Sequence, residues 1–142
     1  MEDYLNIVGH SFPLDHDTLH KIVRLVGVAH DLGKATRYFQ DYLPPKSRPT
    51  DPLKKSHSML SSAYGRFAAR KLFSSSEYRD LIAQNVSLAI LAHHGRLQKP
   101  TVAVAKTMEW RKTIDDQVSA VDRKDELDLV LEEAKIPSYT DF

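Results

Sequence analysis

The sequence predicts an all-α domain, and three observations carry that expectation. Apolar residues recur at helical spacing in nearly every segment, and no alternating run is long enough for a strand. Glycine or proline stands where one helical pattern stops and the next begins. At 142 residues, with 42% hydrophobic and 27% charged, the chain is expected to form one globular domain, 1–142, with a real core. It contains no internal repeat.

The elements follow in order. In DTLHKIVRLVGVAHDLG, Leu19, Ile22, Val23, Val26, Ala29 and His30 keep helical spacing. Asp15 or Asp17 can cap its start; Gly33 can close its end, with Lys34 on the last carbonyls. A short helix in ATRYFQDYL ends at Pro44 and Pro45. The next stretch, PPKSRPTDPLKK, holds four of the 7 prolines and four basic residues, and reads as an extended exposed loop. HSMLSSAYGRFAARKLF is amphipathic through Leu60, Tyr64, Phe67 and Leu72. EYRDLIAQNVSLAILAHHG carries Ile82, Val86, Ala89 and His93 on one stripe, with Gly95 as its stop. After Pro100, Met108, Ile114, Val118 and Val121 mark one helix, and Leu127, Val130, Leu131 and Ala134 a last, acid-rich one. Trp110 reads as a core anchor, and Asp115, Asp116, Asp125 and Asp128 read as surface charges.

Composition narrows the chemistry. With no cysteine, disulfides, thiolate metal sites and a cysteine nucleophile are excluded. The formal net charge of +1 leaves nucleic acid open, because a local patch can be basic while the total balances. No run approaches the length of a membrane span, and MEDYLN lacks the basic-then-apolar form of a leader, so a cytoplasmic protein without membrane contact is expected.

Seven histidines occur, and His30, His57, His93 and His94 fall at helix ends. His30 lies four residues after Val26, His57 three before Leu60, and His93 seven after Val86. Each imidazole therefore follows the apolar stripe of its own helix. If those ends converge, neutral imidazoles and the Asp31 carboxylate form a nitrogen–oxygen site suited to Mn, Mg, Ni, Co, Fe or Zn. Taken singly, a histidine on an apolar face is more often a packed core residue, and His30 also reads as an ordinary helix terminus; the set of H-D, H and H-H is what points to a metal.

Together, HDLGKATRYFQDYL, KKSHSMLSSA and LAILAHHGRL resemble the HD-domain superfamily of metal-dependent phosphohydrolases. More narrowly, over residues 20–98, they resemble the HD nuclease that accompanies the helicase of type I CRISPR interference. That resemblance implies an HD-domain helical bundle with one or two divalent ions at converging helix ends. It implies Asp31 as a bridging ligand, His30 on a first ion, and His57, His93 and His94 on a second. Lys34 would stand near the scissile phosphate as a catalytic cation. For the first ion it further implies an upstream histidine, for which His10 stands ahead of His16 and His20, and a late aspartate, for which Asp122 is the candidate. Asp122 comes early for the pattern, so the bundle reads as truncated at its C-terminus or shortened.

Basic residues near the proposed centre, Arg37, Lys54, Lys55 and Arg96 among them, with Tyr38, Phe39 and Tyr42, would serve a single strand. Phe39 and the loop also have bland readings, as core and as solvated chain. The implied function is metal-dependent hydrolysis of single-stranded DNA, or RNA, in CRISPR interference. Its partners would be a helicase in cis or trans and the RNA-guided surveillance complex. Two alternatives stand beside it: a phosphohydrolase of nucleotides or cyclic dinucleotides, and a silent HD module that docks a helicase.

Overall fold

Asp15 starts the first described helix by accepting the Thr18 backbone N–H at 2.9 Å, which satisfies one of the donors every helix start leaves bare. The computed structural model describes residues 14–49, 51–95 and 109–142. Within them, helix α1 spans His16–Ala29, a 3-10 turn Leu32–Ala35, α2 Arg37–Tyr42 and α3 His57–Leu72. Helix α4 spans Arg79–Ala92, α5 Arg111–Ser119 and α6 Lys124–Glu133. The one β feature among the described residues is an isolated bridge between Thr36 and Val121. The protein is all-α.

Helices α3 and α4 form the central pair, with α1 packed on both. Leu25, Leu60, Tyr64, Ile90 and Leu131 are fully buried, and Ile82 and Val86 nearly so. Burying an aliphatic side chain of this size stabilises the fold by roughly 1.5–3 kcal/mol, so a handful of them outweighs any surface ion pair. Gly65 allows the close approach of α3 and α4, since a Cβ there would meet Ile90 Cδ1 at 2.3 Å. Ser62 and Ser87 tie the same pair with a 2.7 Å hydroxyl contact. Trp110 packs against the core edge.

Several local expectations need correction. Helix α1 does not run to Gly33: it ends at Ala29, His30 caps it with its N–H on the Val26 carbonyl, and the chain turns directly into the 3-10 segment. Lys34 accordingly serves Asp31 rather than the carbonyls of α1. Helix α4 ends at Ala92, three residues short of Gly95. Its buried stripe is Ile82, Val86 and Ile90, while Ala89 is exposed and faces an open apolar groove of about 750 Å³ between α1 and α4. Val130 is also exposed, and α6 buries Leu131 alone. Asp116 and Asp128 are not idle surface charges, for both hold partners. Met108 lies outside the described residues. No described helix is long and apolar enough to cross a membrane.

Candidate metal centre

The end of α1, the start of α3 and the end of α4 meet at one corner. Two close fits bring them there. Gly33 lies against the backbone of His57, where a Cβ would fall 2.2 Å from the His57 carbonyl oxygen, so only glycine permits this approach. The Gly33 N–H is then free to donate to Ser61 Oγ at 2.9 Å, one turn along α3. The result sets Asp31, two residues earlier, opposite the first residue of α3.

Asp31, His57, His93 and His94 converge, each offering a ligand atom within 4.8 Å of the others. His57 Nε2 stands 3.3 Å and His93 Nε2 3.7 Å from Asp31 Oδ1, and the two imidazole nitrogens are 3.2 Å apart. His94 packs its ring 3.9 Å from that of His93 and 5.1 Å from that of His57. On the other side of the carboxylate, Lys34 Nζ donates to Oδ2 at 2.8 Å and His30 Nε2 lies 3.3 Å from the same oxygen. His30 therefore flanks the four-residue group from the opposite edge.

Proton bookkeeping decides what this corner can hold. His93 Nδ1 faces the Ile90 carbonyl at 2.5 Å, and His30 Nδ1 the Gly27 carbonyl at 2.7 Å. A carbonyl only accepts, so both Nδ1 atoms carry the proton, and in the neutral rings both Nε2 atoms present lone pairs toward Asp31. Burial, the larger influence, pushes the His57 pKa down; Asp31 opposes this, and His93 and Lys34 reinforce it. A neutral His57 has at most one proton to offer to His93 Nε2 or to Asp31 Oδ1, and not to both. Asp31 Oδ1 is in fact buried without a hydrogen-bond partner among the described residues. Burial alone would raise the Asp31 pKa, but the Lys34 hydrogen bond and the charges of His30, Lys34 and His57 outweigh it and hold the carboxyl below its usual range.

An ionised carboxylate oxygen with no hydrogen bond, beside two imidazole nitrogens that share a single proton between them, is an unfavourable arrangement for protein atoms alone. It becomes favourable with a divalent cation among those atoms. Separations of 3.2–3.7 Å match two ligands that each stand about 2.1 Å from a shared ion. The backbone carbonyls behind His30 and His93 supply the outer support that fixes a ligating imidazole's tautomer and tilt. The residues present fit a metal.

The remaining sequence candidates are scattered. Asp122 lies on the exposed corner after α5, 3.4 Å from Arg37 Nε, and does not join the cluster. His16 and His20 pack on each other near the start of α1, with centroids 4.5 Å apart, roughly 16 Å of helix from the Asp31 end. His10 and Arg96 lie outside the described residues. Lys54 pairs with Asp116 at 2.8 Å and lies over Tyr38, while Lys55 lies 4.1 Å from the centroid of Tyr42. Phe39 stands edge-on to His57, with ring centroids 5.4 Å apart, so it walls the site rather than filling the core. Sequence reasoning passed over Ser61 and Gln117. Both are fully buried polar residues at core positions of an apolar stripe, and that mismatch was the available signal.

Comparison with known families gives a match to the family described as "Cas3, HD domain", over residues 2–138. Neither the curated proteins nor the solved structures compared with the chain gave a match.

Proposed function

Since this chain belongs to the Cas3 HD-domain family of CRISPR-associated, metal-dependent nucleases, we propose that it hydrolyses the phosphodiester bonds of single-stranded DNA as the nuclease part of a CRISPR interference effector. The observation that carries this reading is the orphaned Asp31 Oδ1 among the imidazoles of His57 and His93. Asp31, His57, His93 and His94 would hold a divalent ion, with His30 available on the far side of the same carboxylate. When bound, such ions act as Lewis acids that lower the pKa of water and stabilise charge on a phosphodiester.

The chain's own residues do the rest. Asp31 stays ionised at neutral pH and so can offer its oxygens to an ion. Lys34, tethered to Asp31 Oδ2, keeps an ammonium at the mouth of the site, where charge accumulates on a cleaving phosphate. Arg37, Lys54 and Lys55 surround the exposed side of α2, and an open groove of about 520 Å³ brings Tyr42, Arg48 and Lys55 together. Rings interleaved with cations suit a single strand, whose bases stack while its phosphates take the charge. Movement along DNA would come from a helicase in cis or trans, delivered by the RNA-guided surveillance complex.

The test is cleavage by the purified chain with Mn²⁺. Labelled single-stranded DNA, duplex DNA, free nucleotides and cyclic dinucleotides are compared, with Asp31→Ala alongside. Shortening of the single strand alone, abolished by Asp31→Ala, supports the proposal. Turnover of nucleotides with the polymer left intact makes the protein a phosphohydrolase. Bound metal without turnover of any substrate makes it a silent docking module.

A further inference from the structure

His57 is the first residue of α3, so its imidazole can face Asp31 only if the loop before it arrives at a set height and angle. One face of that loop rests on Gly33, as described. The other is held from a distant part of the chain by Gln117, on α5. The Gln117 side-chain amide donates from Nε2 to the carbonyls of Lys54 at 2.8 Å and Ser56 at 2.9 Å. Both acceptors lie within three residues of His57, and Ser56 is its immediate neighbour. Gln117 is itself completely buried.

The remainder of this corner reinforces the same contact. Asp116, next to Gln117, binds Lys54 Nζ at 2.8 Å. Three residues on, the Ala120 carbonyl accepts the Arg37 N–H at 2.8 Å, beside the Thr36–Val121 bridge. Residues 116–121 therefore touch both strands of chain that frame the metal centre, the one leaving Asp31 and the one arriving at His57.

Packing alone does not account for a glutamine here. Its Oε1 is buried and has no hydrogen-bond partner among the described residues, so the amide is satisfied from one end only. A methionine of similar volume would fill the space without that cost. What methionine cannot do is grip two carbonyls. We infer that Gln117 is a positioning residue of the metal centre: through its paired hydrogen bonds to Lys54 and Ser56 it sets His57 within ligating reach of Asp31 and His93.

This inference rests on the reading of the cluster as a metal site, and the experiment separates the two. Co²⁺ is titrated into the wild-type chain, Gln117→Met and the control Ile114→Ala, following heat of binding, visible absorption and melting temperature. Ile114 is a buried residue of the same helix whose apolar side chain cannot hydrogen-bond the loop's carbonyls, so it reports what core damage alone does. Gln117→Met is expected to bind Co²⁺ about tenfold more weakly, as when other outer supports of a ligand are lost. Its visible spectrum should change, while Ile114→Ala keeps wild-type affinity and spectrum despite a lower melting temperature. Equal loss of affinity in both variants, or unchanged affinity in Gln117→Met, overturns the positioning role and leaves the metal site standing. Absence of Co²⁺ binding by the wild type overturns both. Should Gln117→Met not fold, the Gln117 side-chain amide resonances of the unsubstituted protein decide the matter. A shift on Zn²⁺ addition supports the inference, and no shift contradicts it.

Discussion

Two aspartates of this protein lie in partly enclosed corners, and they are treated in opposite ways. Asp128, on α6, is surrounded by donors: the Tyr139 N–H, the Thr140 N–H and the Thr140 hydroxyl all reach its carboxylate. Burial raises its pKa, but the hydrogen bonds from Thr140, Ser138 and the backbone outweigh that and hold it low. It fastens the C-terminal turn, whose Tyr139 packs on Tyr64 and whose Pro137 carbonyl accepts the Tyr64 hydroxyl. Asp31 is held low as well, yet one of its oxygens makes no hydrogen bond among the described residues and faces two imidazoles that share one proton. The first carboxylate is satisfied by protein atoms. The second is complete only with a cation, and that contrast separates a carboxylate that holds structure from one reserved for chemistry.

Substitution can sharpen or break the contrast. The largest effect is expected from Asp31→Ala, which should abolish cleavage and strip bound metal while far-ultraviolet circular dichroism stays helical. Full activity in that variant would refute the site. Gly33→Ala comes next. The new Cβ cannot coexist with the His57 carbonyl, so backbone must move, at a cost of about 1–3 kcal/mol in denaturant unfolding and with weaker metal binding. If Gly33→Ala matches wild type in both, Gly33 does not set the spacing.

His93→Ala removes one lone pair from the crowd. Metal affinity should fall by at least tenfold in calorimetry, with the metal-free melting temperature unchanged or higher; a large loss of stability at unchanged affinity would make His93 a packing residue. Asp128→Asn should do the reverse, lowering stability by about 1–2 kcal/mol and leaving metal affinity intact. The sign of its pH dependence follows from the lowered pKa. Asp128 stabilises the fold above its ordinary carboxylate pKa, and that contribution is lost as pH falls through its lower native value, below about pH 4. An acid-unfolding curve of Asp128→Asn should therefore converge on wild type at low pH. Smallest of all, Tyr64→Phe should cost about 1 kcal/mol for the lost hydrogen bond to Pro137, read as a melting shift of a few degrees.

Much of this was legible in the sequence because helices announce themselves by period. The runs through Leu19 to His30, Leu60 to Leu72 and Ile82 to His93 mark α1, α3 and α4, and the histidines that extend those stripes identify the ends that meet. Local propensity could not show the turn at residues 30–36. A glycine after an apolar run reads as a helix stop, whereas Gly33 serves a contact with His57, 24 residues away in sequence, that no short window contains. The same limit displaced Ala89 from the core, since a stripe fixes a face only to within one residue of rotation. Gln117 carried a signal that was available: in the pattern Ile114, Gln117, Val118, Val121 it is the polar residue on an apolar stripe. What such a residue holds can be read only from the fold.

The central claim is that Asp31, His57, His93 and His94 form a cation site, and metal titration tests it most directly. Mn²⁺ is added to the chelator-stripped protein and to Asp31→Asn, with binding and melting temperature measured together. Wild type should bind at least one ion per chain and gain about 2.7 kcal/mol of stability at a free concentration of 100 times the dissociation constant. Asp31→Asn should bind none, and should melt as high as metal-free wild type or higher, because its amide brings a donor to the imidazole lone pairs. A folded wild-type chain that binds no divalent ion, or an Asp31→Asn variant that binds as wild type does, would contradict the account.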